Sequence, residues 1–136
     1  MNRNRNCENI IRHLQTESEK SNCNYKHSAA IIKNNKIYSI GYNYFSNNIS
    51  IHAEIDACKK FLYTNKNVSL TNCDLIVIRS QQNLKQLKLS KPCMHCCKFL
   101  KEKGLRKIYY SDTYGNIVSE YITELNTTHK SSLYKI

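Results

Sequence analysis

Two short clusters hold residues of the types and spacing that chemistry needs. Cys93 and Cys96 stand three apart directly behind Pro92. Proline suits the first position of a helix, so both sulfurs should emerge on one side of a first turn, close enough to share a metal ion. The unpaired N–H groups of such a turn favour the thiolate, the form that binds zinc. His52 and Glu54 stand two apart where a second apolar-periodic segment begins. His52 supplies a third ligand in this reading, and three protein ligands leave the fourth position of a tetrahedral zinc open, as catalytic sites do. Glu54 can then sit near the metal without ligating it, placed to move protons. The Cys93 and Cys96 pair alone would read as a structural zinc site; His52 and Glu54 turn it into a catalytic one, with one Zn2+ per chain.

The other reactive side chains read more plainly. Cys97 adjoins Cys96, but successive helical residues point about 100° apart, so it should pack away from the ion. Cys58 falls on an apolar stripe and reads as core, and Cys7, Cys23 and Cys73 have no ligand-like spacing. His95 reads as an exposed polar spacer and His27 as a hydrogen-bonded residue at a strand edge. Tyr42, Tyr44 and Phe45 fit either stacking on a base at a pocket mouth or packing at a hairpin end. Lys85, Lys88, Lys91, Lys98, Lys101, Lys103, Arg106 and Lys107 gather around the Cys93 helix, where they either steer phosphates or form a solvated face.

The elements that must position these groups follow from periodicity. Ile10, Ile11 and Leu14 predict an amphipathic helix over Cys7 to Lys20. Ser28 to Lys33 and Lys36 to Gly41 predict a β-hairpin, because Asn34-Asn35 between them tolerates the positive φ of a tight turn. Ile51, Ile55, Cys58 and Leu62 predict a helix from Ile51 to Leu62 capped by Ser50, with His52 and Glu54 in its first turn. The unbroken Leu75-Ile76-Val77-Ile78 predicts a central strand buried on both faces, from Asp74 to Arg79. A helix runs from Pro92 to a stop at Gly104, followed by strands Arg106 to Ser111 and Ile117 to Leu125. The polar turn Asp112 to Asn116 is too short for a parallel crossover, so these last two strands should be antiparallel. The order α-β-β-α-β-α-β-β predicts an α/β fold, a mixed sheet with helices on both faces, as a single domain over residues 1–125 with a tail over 126–136.

The totals bound the partners. The 136 residues suffice for one core. No apolar run marks a signal peptide or a bilayer span, so a cytoplasmic protein without membrane contact is expected. Seven cysteines, an odd number with three crowded into Cys93 to Cys97, favour metal over disulfides. The net charge of +11 fits either phosphate-bearing partners or an Asn-, Lys- and Ile-rich composition that keeps the chain soluble.

Pro92-Cys93-Met94-His95-Cys96, preceded by His52-Ala53-Glu54, resembles the signature of zinc-dependent cytidine and deoxycytidylate deaminases, in particular small viral and phage members. The resemblance runs from about Lys26 to Gly115 and includes Gly41-Tyr42-Asn43 and Leu105 to Tyr110. It implies a three-layer α-β-α fold with a five-stranded sheet, zinc between two helix N-termini, and Asn43 and Ala53 at the substrate, Asn43 near its sugar. It also implies hydrolytic deamination at C4 of a cytosine-type base in a free nucleoside or nucleotide, with Glu54 carrying protons to N3 and the departing amine. The closing antiparallel hairpin is more like free-nucleoside cytidine deaminases and His52 more like the deoxycytidylate and adenosine branches, so both substrate classes stay open. A polynucleotide cytidine or adenosine deaminase is the alternative, and an inactive zinc-braced nucleic-acid-binding protein is the rival of another class. The family resemblance further implies a homo-oligomer, in the host cytoplasm if the protein is viral.

Overall fold

The computed structural model describes residues 5–65, 68–80 and 87–127; Lys85 and residues 128–136 of the expected tail lie outside them. Helix α1 (Arg5–Ser18) leads into β1 (Lys26–Lys33) and β2 (Lys36–Tyr42), joined at Asn34 and Asn35 with φ of 52° and 62°. Both asparagines adopt the left-handed conformation that a two-residue hairpin demands. The sequence holds the same device again: Asn47 and Asn48, at φ 52° and 62°, join β3 (Tyr44–Ser46) to β4 (Ile49–Ile51). Ser50, expected as a helix cap, lies instead in this second hairpin. There follow α2 (Ala53–Thr64), β5 (Asp74–Ser80), β6 (Leu87–Lys88), α3 (Met94–Glu102), β7 (Lys107–Ser111) and β8 (Ile117–Tyr121).

The main sheet runs β2-β1-β5-β7-β8, with the two-residue β6 added beside β5 as a sixth strand. Among the described residues only β5 and β7 pair in parallel; the other pairs, β7 with β8 included, are antiparallel. The expected mixed sheet and its closing hairpin are therefore present. The final strand is shorter than expected, ending at Tyr121, where a 3-10 turn (Ile122–Glu124) takes over. Ile122 and Leu125, three apart, then turn the same way and are buried in the core shared with α2 and α3.

Alternation along the two central strands creates the layers. Ala30, Ile32, Ile76 and Ile78 meet Ile10, Ile11 and Leu14 of α1 on one face. Ala29, Ile31, Leu75 and Val77 meet Ile55, Phe61 and Leu100 of α2 and α3 on the other. The result is the expected α/β fold of three layers, α-β-α. Among the described residues no helix is long and apolar enough to cross a membrane.

Local chemistry sets the height of α2 over the sheet. A Cβ built on Gly41 would stand 2.3 Å from the Ala57 backbone nitrogen and 2.9 Å from the Ala53 carbonyl oxygen, so only glycine permits this approach of β2 to α2. Ser39 Oγ donates to the Ala57 carbonyl at 2.8 Å, and the Tyr42 N–H donates to Asp56 Oδ2 at 3.1 Å. On the other side of the sheet's midline, the Asp74 carboxylate accepts from Arg106 Nε at 2.9 Å, Arg106 Nη2 at 2.6 Å and the Lys107 N–H at 3.2 Å, tying β7 to β5.

Candidate metal centre and active-site pocket

His52 and Cys93 occupy equivalent places in the chain. Each is the cap residue in front of a helix, in extended conformation, with φ −82° and ψ 149° at His52 and φ −71° and ψ 171° at Cys93. Both helices thus begin one residue or more later than the pattern implied: α2 at Ala53 and not Ile51, α3 at Met94 and not Pro92. The β3–β4 hairpin accounts for the first shift, because β4 keeps residues 49–51 extended until His52. Each cap carbonyl accepts a helical hydrogen bond, from Asp56 at 3.0 Å and from Cys97 at 2.9 Å. Glu54 and Cys96 then fall in the first turns of α2 and α3.

The cap geometry brings the predicted set together. His52 Nδ1 lies 3.1 Å from Cys96 Sγ and 3.6 Å from Cys93 Sγ, and all three donor atoms lie within 4.8 Å of one another. With zinc–sulfur and zinc–nitrogen distances of about 2.3 and 2.0 Å, the N···S edge of a tetrahedron is roughly 3.6 Å, so the set fits a zinc ion. No fourth ligand side chain joins the group among the described residues. Both sulfurs are buried, Cys96 completely.

The three groups act on one another electrostatically. The Cys93 thiol is lowered to about 3 by the Cys96 hydrogen bond first and by His52 after it, while the same hydrogen bond and burial push Cys96 up. Burial works to lower His52, yet its bond to Cys93 and the nearby Glu54 charge leave it raised. Glu54 is itself buried, only 4 % exposed, and burial raises its carboxyl above the ordinary value.

These groups open onto a pocket of about 590 Å³, whose wall includes His52, Ala53, Glu54 and Cys93 together with Asn43. Of the residues singled out from the sequence for metal, proton or substrate, His52, Glu54, Cys93, Asn43 and Ala53 border this one space, while Cys96 joins them through the donor cluster. The wall also includes Lys91, one of the basic residues gathered around the Cys93 helix, and residues to which the sequence assigned no part in a site: Tyr25, Ser90, Ser50, read as a helix cap, and His27, read as a strand-edge residue. Ser90 stands two residues before Pro92, and this closeness is the one signal the sequence offers for it. Buried Ser90 is fixed by donating Oγ to the Val77 carbonyl at 2.8 Å and accepting the Ser111 N–H at 2.8 Å, which anchors the approach to Cys93.

Of the three aromatics considered for stacking, Phe45 lines the pocket. Tyr42 and Tyr44 instead pair with each other, ring centroids 6.0 Å apart, and Lys60 lies 4.8 Å above the Tyr42 ring. Cys97 faces away from the cluster, its thiol donating to the Pro92 carbonyl, with burial pushing its pKa up to about 11. Cys58 is core, pushed up by burial to about 12. His95 is exposed, as a polar spacer would be.

A mixed sheet that presents a His–Cys–Cys cluster on the caps of two helices points to the zinc deaminases. Residues 4–112 match the cytidine and deoxycytidylate deaminase zinc-binding region, and the chain belongs to that family. It is thus a deaminase by family, with a donor set that fits the family's zinc. No curated protein matches the sequence.

Solved structures share the fold. The dCMP deaminase of cyanophage S-TIM5 is 24% identical with a TM-score of 0.60, over 78% of this chain and 82% of that one. The cytidine deaminase of Burkholderia pseudomallei is 18% identical with a TM-score of 0.69, over 87% and 94%. That of Mycobacterium leprae is 16% identical with a TM-score of 0.64, over 90% and 98%.

Proposed function

We propose that this protein hydrolyses the exocyclic amine of a cytosine-type base in a free nucleoside or nucleotide, consuming water and releasing the uracil form and ammonia. The observation that carries the reading is the convergence of His52 Nδ1, Cys93 Sγ and Cys96 Sγ on one point of the pocket wall, with Glu54 beside them. A zinc ion held by those three residues supplies the Lewis acidity that makes water nucleophilic near neutral pH. Glu54, which no ligand role claims, takes the proton released as water adds to C4 and delivers it to N3; it then takes the remaining proton of the C4 hydroxyl and passes it to the departing amine as the C4 carbonyl forms. Its buried position keeps that proton from bulk solvent. Asn43 and Ala53 border the substrate, and the pocket walls hold the base in line with Glu54, converting an encounter of several bodies into one event.

The structural neighbours support both substrate forms: two are cytidine deaminases, and the cyanophage dCMP deaminase has been solved with dCMP and dUMP. The deciding experiment offers zinc-loaded protein cytidine, deoxycytidine, their 5′-monophosphates, and cytosine in single-stranded DNA and RNA, and follows ammonia release. Turnover of the free compounds is expected. Turnover of the polynucleotides alone would reverse the assignment in favour of a polynucleotide deaminase.

A further inference from the structure

His27 lines the pocket but belongs neither to the donor cluster nor to the proton path. It lies on β1 opposite Arg79 of β5, with its backbone clamped by Asn43. Asn43 Oδ1 accepts the His27 N–H at 2.9 Å, Asn43 Nδ2 donates to the Tyr25 carbonyl at 2.7 Å, and the Asn43 N–H donates to the His27 carbonyl at 3.2 Å. The Asn43 carboxamide is thus engaged in holding this strand end in place.

The ring of His27 has one fixed nitrogen and one open one. Nδ1 lies 3.4 Å from the Tyr25 carbonyl oxygen, which can only accept, so Nδ1 carries the proton. In a neutral imidazole Nε2 is then an acceptor. Burial keeps the ring neutral, lowering its pKa to about 4. Among the described residues no group bonds Nε2, and the one sealed side-chain polar atom lacking a partner is Ser80 Oγ; Nε2 is therefore accessible, on a residue that lines the pocket.

A rigid acceptor in such a wall selects a ligand that brings a donor. On a cytosine nucleoside the donors are the exocyclic amine and the sugar hydroxyls. The amine is the leaving group and must lie at Glu54. A phosphate offers oxygens that only accept. We propose that His27 Nε2 accepts a hydrogen bond from a hydroxyl of the substrate's sugar and so sets the sugar specificity of the pocket. This rests on the deaminase reading above.

The test compares kcat/KM for cytidine with its 2′-, 3′- and 5′-deoxy analogues in zinc-loaded wild type, His27→Leu and His27→Gln, with zinc content and Tm measured on each. Wild type should prefer cytidine over one analogue by about 10- to 100-fold. His27→Leu should drop cytidine to the level of that analogue while leaving the analogue unchanged, and His27→Gln, whose carbonyl accepts, should restore most of the preference. Should His27→Leu unfold, His27→Phe carries the comparison. Equal losses on all four compounds, or none, with zinc and Tm intact, overturn the His27 assignment alone. A zinc-loaded wild type that turns over no cytosine compound overturns the deaminase reading and this assignment with it.

Discussion

At the scale of single residues, the proposed roles of ligand and proton carrier call for different outcomes on substitution. Glu54 is buried beside the donor cluster but is not one of its three members. Glu54→Ala should therefore keep about one zinc per chain by elemental analysis while deamination falls by roughly 10²- to 10⁴-fold. Loss of the metal instead would make Glu54 a ligand. Cys96→Ala removes a fully buried donor and leaves His52 and Cys93 as an incomplete pair. Zinc content should drop well below one per chain, and activity with it; full occupancy in that variant would place the ion elsewhere. These four residues were legible before folding because their chemistry is rare and their spacing local. His27 was not, since nothing adjacent in the sequence says that a strand-edge histidine will face a cavity.

At the scale of elements, the site depends on how closely α2 rides on β2. Gly41→Ala forces a methyl to within 2.3 Å of the Ala57 nitrogen, backbone that cannot give way locally. The helix must move, and overpacking of this kind costs on the order of 1–3 kcal/mol. The displacement also carries His52 and Glu54 away from Cys93 and Cys96. Urea unfolding should show the lost stability, and kcat/KM should fall further than KM alone explains; an unchanged midpoint would mean that α2 is not seated as described. The Asn47-Asn48 hairpin shows why boundaries were harder to read than elements. Its turn signal equals that of Asn34-Asn35, but its strands are only three residues each, too short for alternation to reveal. Its presence delays α2 and makes His52 a cap residue.

At the scale of the whole molecule, burial of neutral His27 couples stability to pH. Its pKa is about 4 in the folded chain against an ordinary 6.5, so the unfolded chain binds the proton more readily. The folded state therefore holds its full advantage above about pH 6.5 and loses it as pH falls toward 4, after which this contribution changes no further. The loss is at most roughly 3 kcal/mol. Arg79 and His52, both cationic when protonated, act in the same direction. Denaturant midpoints of wild type and His27→Gln should accordingly converge as the pH is lowered across that window; parallel curves would mean that His27 titrates normally. The Asp74 and Arg106 pair, half-exposed on the arginine side, should add little to the balance.

The chain by itself determined the fold class and the donor set, and offered the proton carrier proposed above. Alternating and helical apolar patterns are local, as are the turn between β7 and β8 and the motif spacings, and each acts whatever the rest of the chain does. Only tertiary structure decided that two helix caps 41 residues apart in sequence would meet at 3.6 Å. It also decided that Tyr42 and Tyr44 would turn from the pocket while Phe45 joins it, and that His27 would open an acceptor into the wall. Those outcomes depend on sheet order and on close backbone approach at Gly41, relations between distant segments that no local pattern encodes.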